Sequence, residues 1–490
     1  DDHYVAAVVE FQVQRDTEEN LQNYLRLTRE ASQQNVDIII FPEMTLMSGN
    51  RSAIVPVYGT LIENPVPADR PDLYDEILVS LSEAARQNQI YVVVNIQEKM
   101  NCSDAPGEYC PKEEIYLFNT NVVFNRNGAI IDRYRKINLF GEYTRNPALK
   151  PDLGIFSTDF GVTFGHYICF DLMFQVPAVQ VVQKHNLTDV IFSTMWFSEM
   201  PYLTAAEIQE AYSYAMNVNF LASGANNVNV GSAGSGIYSG RAGALISIMP
   251  GQPTTRLLVA KVPKVPGKVA YPGPIYDNPS NMDNLSLKAD PSLPSHISRP
   301  LVPGFQEFTL VDKEVSCRFR VKLSQRNGDM QYQYRAGAFN GVRTFDGVAN
   351  GGVRICSVLA CTGNDISTCG RRFSTYAMNT TSIFEELSIE ATVPTPKVLP
   401  ELSAHDSAFY PVSLTTSIMS LEAKDYTYQV IEEGENTTLI YTLKNHNAEL
   451  YSFAIWGRVY GWDNEDVTPP LSGSTTGMYG YCNRFISLFV

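Results

Sequence analysis

Glu43, Lys136 and Cys169 are a carboxylate, an ammonium and a thiol, and each closes or follows an apolar run of β-strand type. Together they are a base, a cation and a nucleophile, the equipment of amide hydrolysis. A free thiol with a pKa of ~8.5 is mostly protonated at neutral pH, so a base or a neighbouring cation must supply thiolate. Negative charge developing on a carbonyl oxygen needs fixed donors, each worth roughly 3 kcal/mol in comparable sites.

The elements that must position these groups follow from the flanking residues. Val36 to Phe41 reads as a buried strand that Pro42 stops, leaving Glu43 at its carboxyl end, where open α/β sheets place their sites. Val162 to Ile168 delivers Cys169 to a second strand end, followed by Phe170, Asp171 and a helix-like stretch from Pro177 to His185, the strand, turn and helix setting in which an elbow presents a nucleophile. Ile130 to Phe140 places Lys136 after a third short strand.

Each residue also has an ordinary reading: a buried inert thiol for Cys169, a helix-capping acid for Glu43, a solvated charge for Lys136. The combination favours chemistry. A cysteine–histidine hydrolase is the rival mechanism, with His166 nearest in sequence to Cys169. Positions 166 and 169 differ by an odd step, so in a strand they project to opposite faces, and His166 is expected to be packed or hydrogen-bonded instead.

Phe41-Pro42-Glu43, Tyr134-Arg135-Lys136 and Cys169-Phe170-Asp171, in this order and at these separations, resemble the Glu-Lys-Cys triad of the nitrilase superfamily. The chain is most similar to the vanin and biotinidase branch. Supporting stretches include Ile90 to Ile96, Asn119 to Phe124, Val218 to Ser223, Gly234 to Tyr238, Gly337 to Gly341, Cys356 to Cys361 and Ser367 to Gly370, so the likeness spans nearly the whole chain. The resemblance implies that Cys169 attacks a carboxamide carbonyl while Glu43 takes the thiol proton and passes it to the departing amine. Water then hydrolyses the thioester, and Lys136 joins the backbone N–H of Phe170 in stabilising the oxyanion. It implies a four-layer αββα sandwich, and it offers Glu142 as a second glutamate orienting the lysine or base.

Several positions depart from the branch. Arg135 stands where histidine is usual, the loop after Phe140 is one residue shorter, Gln209 and Tyr212 replace a histidine and a tryptophan, and Gly224 and Asn226 replace an asparagine and a histidine. These segments form the pocket wall in relatives, so the expected pocket comprises Trp196, Phe197 and Tyr212, with chemistry retained and specificity moved. Trp196 reads equally as a core aromatic, since such side chains line both cores and pockets.

A net charge of −15 argues against nucleic acid and against adhesion to anionic lipid, because no Lys/Arg cluster offers a basic surface. Eight cysteines point to an oxidising compartment. Cys102 and Cys110 bracket a short loop suited to a local bridge; Cys317, Cys356, Cys361 and Cys369 are further disulfide candidates. Zinc is the competing reading for these four, but they lack a paired Cys-x2-Cys knuckle, so no metal or cofactor is expected. With Cys169 kept as thiol, Cys482 is the candidate for the unpaired residue. Sequons at Asn101, Asn186, Asn284, Asn379 and Asn436 are glycosylation candidates, whereas a glycan at Asn50 would crowd Glu43.

Asp1 leads almost directly into the strand Tyr4 to Val13, which reads as a mature form, and no apolar run approaches the ~20 residues of a membrane span. Membrane contact would come only through a lipid anchor, of which Ser472 to Gly477 is a faint signature. Strands and helices alternate (helices Thr17 to Gln34, Pro71 to Asn88 and Leu203 to Val218, strands Ile90 to Ile96 and Val190 to Ser193) through an α/β domain over 1–266, followed by a Pro-, Asn- and Ser-rich linker or surface excursion over 267–307. Alternating runs (Ser316 to Leu323, Ala423 to Ile431, Thr438 to Leu443) predict a β-rich domain over 308–490. The glycine-rich stretch Gly231 to Gly236 lacks the Lys-Ser/Thr of a phosphate cradle and reads as a turn. The expectation is a secreted thiol amidohydrolase, monomer or homodimer, acting on a small-molecule amide. Pantetheine is preferred, a biotinyl amide is the alternative, and an inactive binding or adhesion protein is the reading from a different class.

Overall fold

Isoleucine, valine and phenylalanine fill strands that are buried on both faces, and those strands build two facing sheets. The computed structural model describes residues 2–55, 65–269, 284–328, 330–373 and 380–471. One sheet comprises β1 (His3–Gln12), β2 (Ile38–Ile40), β3 (Tyr91–Asn101), β4 (Ile115–Phe124) and β5 (Ile130–Arg135). The other comprises β6 (Gly154–Ser157), β7 (Thr163–Ile168), β8 (Asp189–Thr194), then, after the two-residue β9 (Glu199–Met200), β10 (Asn219–Asn226), β11 (Ser235–Ser239) and β12 (Ala244–Ile248). The strand β13 (Arg256–Pro263) returns antiparallel along β1 from Glu10 to His3 and completes the first sheet. The sheets meet edge to edge only where Phe11 and Gln12 pair with Ala225 and Asn226.

Alternation along each strand separates the layers. Ala6 and Val8 of β1, Ile38 and Ile40 of β2 and Val93 of β3 pack against Phe164, Ile191, Leu221 and Ile237, so apolar side chains fill the space between the sheets. The opposite face of the first sheet (Ala7, Val9, Ile39, Val92) receives Leu21, Tyr24 and Leu27 of α1 (Thr17–Ser32) and Ile77, Leu78 and Leu81 of α2 (Glu76–Asn88). The far face of the second sheet receives α3 (Gln180–His185) and α4 (Ala205–Met216). This is the αββα order.

Boundaries differ from expectation where local caps decide them. The second helix starts at Glu76 rather than Pro71, because Asp75 accepts from the Ile77 N–H and is held by the Arg51 guanidinium at 2.9 Å. The stretch expected as a helix from Pro177 opens as a wide turn over Gln175–Val179, and only Gln180–His185 is α-helical. The strand expected from Ala423 begins at Tyr426, after a capped turn over Ala423–Asp425. Gly231 to Gly236 is a turn entering β11, as expected.

The C-terminal half is two five-stranded antiparallel sheets packed face to face. Within 267–307 the described residues include a strand, Ile297–Pro300, that pairs with Gln333–Phe345 and so belongs to this sandwich. Cys317 and Cys356 are bonded across the two sheets, Cys361 is bonded to Cys369, and Cys102 to Cys110. Thus the four later cysteines form bridges, not a metal knuckle. Cys169 is a free thiol; Cys482, Asn379 and the Ser472 to Gly477 segment lie outside the described residues. Asn101, Asn186, Asn284 and Asn436 are exposed. Among the described residues no helix is long and apolar enough to cross a membrane.

The sandwich docks on the α3 and α4 side. Tyr212 stacks obliquely on Tyr410 at 6.1 Å, Ser452 Oγ donates to the Pro201 carbonyl at 2.9 Å, and Ser420 donates to Glu210. Separate bridges predict separate costs. Cys317→Ala with Cys356→Ala should destabilise by about 4 kcal/mol, and Cys102→Ala with Cys110→Ala by about 2–3 kcal/mol, because the first closes the longer loop. Denaturant titration of the two double variants checks this ranking.

Candidate active site

Three strand ends deliver the chemistry. Past β2, Met44 adopts φ +56°, and its N–H is held by Asn95 Oδ1 at 2.9 Å, which turns the chain so that Glu43 faces the cleft. Past β5 comes Lys136, whose backbone N–H is held by the Asn119 carbonyl at 2.9 Å. Past β7, Cys169 takes φ +49°, a left-handed conformation that costs a non-glycine residue energy and persists only where its surroundings over-determine it. Asp171 supplies part of that constraint. It accepts from the Ile168 N–H at 3.2 Å, the Asn138 N–H at 2.8 Å and the Tyr134 hydroxyl at 2.6 Å.

Lys136 Nζ lies 2.8 Å from Glu43 Oε1 and 2.9 Å from Glu142 Oε2, with all three side chains nearly sealed from solvent. Asn119 Nδ2 bridges the two carboxylates, at 2.7 Å to Glu43 and 2.5 Å to Glu142. The second oxygen of Glu43 accepts from the Met195 N–H at 2.9 Å, while the Met195 carbonyl accepts from the Cys169 thiol at 3.4 Å. The backbone of one residue, Met195, therefore ties the carboxylate to the thiol. Glu43, Lys136, Glu142 and Cys169 line a single cleft with Met44, Phe140, Met195 and Phe197.

The electrostatics set the resting protonation. Burial pushes the Cys169 thiol far up and the charge on Glu43 adds to this, against a smaller opposing pull from Lys136, so the resting sulfur holds its proton. Burial also raises Glu43; Lys136 opposes and Glu142 reinforces. For Lys136, burial works against the charge, but Glu142 and Glu43 overcome it and hold the ammonium well above the ordinary lysine value. The set is a protonated thiol, a carboxylate made more basic than usual, and a permanent cation. It can remove a proton from sulfur as sulfur attacks and can balance charge on oxygen.

Next to Cys169 opens a cavity of about 50 Å³, lined by Phe140, Phe170, Met173, Trp196, Phe197 and Leu203 from the first half of the chain and by Phe345, Arg343, Asp346 and Lys288 from the second. Its floor is largely aromatic: Phe170 meets Phe140 at 4.8 Å and Phe345 at 5.6 Å. Among the lining groups, the half-exposed Lys288 pairs with Asp346 at 2.6 Å, and the buried Arg343 pairs with Glu199 at 2.5 Å and with Asp290 at 3.0 Å. Burial pushes Glu199 up to about 7 against the pull of Arg343.

Of the residues singled out in the sequence, Glu43, Lys136, Cys169, Phe170, Glu142, Trp196 and Phe197 come together. Glu142 reaches Lys136 despite the shortened loop, because its Oε2 also accepts from the Phe140 N–H at 2.8 Å. Tyr212 does not line the cavity. It is fully buried, donates to the Ala178 carbonyl at 2.6 Å and packs on Tyr167 and Phe220 beneath the C-terminal sandwich, since α4 turns that face toward the second half of the chain. The other departures are also remote from the cavity walls. Arg135 points to the opposite face of β5 and is bidentate to Glu98 at 2.6 and 2.9 Å. Gln209 donates to the Gly234 carbonyl, and a Cβ at Gly224 would meet that carbonyl oxygen at 2.2 Å. Asn226 donates to the buried Glu10 at 3.0 Å. His166 has no part in the cleft; its Nε2 meets Asp132 at 2.6 Å.

Sequence reasoning missed Asn95, Asn119 and the Met195 peptide. The asparagines carried a signal: Asn95, Asn119 and Asn121 interrupt otherwise apolar strands, and a polar group in a buried strand needs a partner. Arg343, Phe345 and Asp346 carried none, being some two hundred positions away along the chain. Among the described residues no group of three or more His, Cys, Asp or Glu is placed to hold a metal ion.

The family model described as Carbon-nitrogen hydrolase matches residues 5–249, and that described as Vanin C-terminal domain matches residues 285–463. Vanin-like protein 2 of Drosophila melanogaster is 34% identical to this chain, over 94% of the chain and 90% of the relative. Pantetheinase of Bos taurus is 29% identical over 91% and 84%, and Biotinidase of Homo sapiens is 30% identical over 75% and 73%.

The Glu142 carboxylate raises the pKa of Glu43. Removing that charge with Glu142→Gln lets Glu43 lose its proton more readily. The acid limb of kcat/KM should therefore move to lower pH, and kcat should fall because Lys136 loses one of its two anchors. A pH–rate profile of the variant against the parent measures both; an acid limb moved upward would show that Glu43 does not set it.

Proposed function

Since this chain belongs to the vanin and biotinidase branch of the nitrilase superfamily and is a carbon–nitrogen hydrolase, we propose that it cleaves a linear carboxamide through a thioester on Cys169, with pantetheine, split to pantothenate and cysteamine, as the preferred substrate. The observation that carries this reading is the cleft in which Glu43, Lys136, Glu142 and Cys169 stand together. As Cys169 sulfur bonds to the amide carbon, its proton passes to Glu43. The carbonyl oxygen becomes an oxyanion, stabilised by the Lys136 ammonium and the Phe170 N–H. Collapse of the tetrahedral species breaks the C–N bond while Glu43 returns the proton to the departing nitrogen. Water, deprotonated by Glu43, then attacks the thioester and releases the acid and the thiol.

Pairing a raised base with a raised thiol suits this sequence of events, because the proton moves during attack and no thiolate need be stored. Lys136 keeps its positive charge throughout, facing two carboxylates at rest and the Glu142 carboxylate alone while Glu43 holds the proton. The aromatic walls of Phe170, Trp196, Phe197 and Phe345 favour a second reading, hydrolysis of a biotinyl amide, whose fused ring would lie against them.

The reading extends to the whole molecule. Residues 1–266 are the catalytic domain, and the docked β-rich domain expected from 308 also takes in the strand Ile297–Pro300 ahead of it. The protein is secreted, as three disulfides and the exposed sequons at Asn101, Asn186, Asn284 and Asn436 support.

Incubation with pantetheine and, separately, with biotinyl-lysine, following cysteamine or lysine release, tests the proposal. Release from pantetheine is expected, absent in Cys169→Ala and reduced about 10²–10³-fold in Lys136→Met. Release from biotinyl-lysine alone would select the second reading. Turnover retained in Cys169→Ala would reject the thioester.

A further inference from the structure

The turn that carries the nucleophile, Cys169–Met173, is gripped from the far half of the chain. Arg458 lies in the strand Leu450–Val459 of the C-terminal sandwich and is fully buried. Its Nε donates to the Met173 carbonyl at 2.8 Å, its Nη1 to the Gly352 carbonyl at 2.5 Å, and its Nη2 pairs with Asp463 at 2.5 Å. Phe345, at the end of the strand Gln333–Phe345, sets its ring against Phe170 at 5.6 Å and 68°. That ring is itself held between two guanidinium groups, Arg343 at 4.5 Å and Arg458 at 5.5 Å from its centroid.

The N-terminal sandwich holds the turn through Asp171 and its partners Tyr134, Asn138 and the Ile168 N–H, and through Phe140, whose ring meets Phe170 at 4.8 Å. From the far half of the chain, Phe345 meets the other side of the Phe170 ring and Arg458 meets the Met173 carbonyl at the end of the turn. With Cys169 at φ +49°, the peptide between Cys169 and Phe170 has no ordinary helical or extended geometry to fall back on.

We propose that Arg458 and Phe345 are positioning residues of the hydrolysis: from the C-terminal sandwich they orient the Cys169–Met173 turn so that the Phe170 N–H faces the developing oxyanion, and the active site is complete only with that sandwich docked. This rests on the reading of Cys169 as nucleophile and Phe170 as oxyanion donor. Neither residue touches the substrate's reacting atoms; both act through the turn.

Two reagents separate this role from structural support. p-Nitrophenyl acetate acylates a nucleophilic cysteine: the S–C bond forms through an oxyanion, the thiol proton passes to Glu43, and p-nitrophenolate leaves. Iodoacetamide alkylates the same sulfur by displacing iodide, with no oxyanion. On the full-length protein, Arg458→Gln and Phe345→Leu should each slow the p-nitrophenolate burst by about tenfold or more while leaving the alkylation rate within about twofold. Arg458→Lys, which can still donate to the Met173 carbonyl, should recover part of the loss. If Arg458→Gln does not fold, Phe345→Leu, which keeps an apolar side chain in place, carries the test. Equal slowing of both reactions, or no slowing of the burst, overturns the proposal while leaving Cys169 as nucleophile. A parent protein that is alkylated yet releases no p-nitrophenolate above the Cys169→Ala background would instead reject the nucleophile reading, and this proposal with it.

Discussion

An ammonium sealed between two carboxylates organises this molecule. Lys136 with Glu43 and Glu142 is a net anionic group of three charges taken almost wholly out of water, and the desolvation cost of such a cluster exceeds what two ion pairs return unless every remaining lone pair is also met. The structure meets them with neutral donors: the Asn119 amide between the carboxylates, the Met195 N–H on Glu43 and the Phe140 N–H on Glu142. Asn119 in turn needs Asn95, whose Nδ2 donates to Asn119 Oδ1 at 2.7 Å and to Asn121 Oδ1 at 3.1 Å. A run of buried amides in the first sheet therefore exists to keep one cation charged and two acids in place.

The same cluster explains why the site needs both sheets. Glu43 and Lys136 come from strand ends of the first sheet, Cys169 and Met195 from strand ends of the second, and the facing apolar surfaces hold the ends in one cleft. Removing side chains from that inter-sheet core would shift the Cys169 thiol against the Glu43 carboxylate, and displacements well under the length of a hydrogen bond matter to such geometry. The C-terminal sandwich then covers the outer helices of the second sheet and brings Phe345, Asp346 and Arg343 to the cavity wall. Of the positions expected from the sequence to depart from relatives, Gln209, Tyr212, Gly224 and Asn226 are buried away from that cavity and Arg135 lines a separate groove. The polar ones have separate partners, Glu98 for Arg135, Ala178 for Tyr212 and Glu10 for Asn226, and the cavity is walled instead by the aromatic residues around Cys169.

Much of the architecture was readable in the chain. Apolar runs ending at Glu43, Lys136 and Cys169 placed three groups at strand ends, because a buried strand must be apolar and a polar residue at its close marks where it leaves the core. Alternation of Val315, Cys317, Phe319, Val321 and Leu323 with polar neighbours likewise announced a half-exposed sheet in the second half. Element ends were less legible: Asp75 rather than Pro71 starts a helix because a cap and its Arg51 partner decide the first turn, and that partner is remote in sequence.

What the sequence by itself determined is the set of reactive groups and their scaffold: a carboxylate, an ammonium and a thiol at three strand ends of an α/β sandwich, since residue type and local periodicity are properties of short stretches. What only the tertiary structure decided is which distant groups surround them. Tyr212 went to the interdomain core although its helix borders the expected pocket, and Phe345, Arg343 and Arg458 arrived from the far half of the chain. The physical reason is that a strand or helix records which of its faces is apolar but not what will cover that face. Shape and charge complementarity between elements hundreds of residues apart settle that only once the chain has folded.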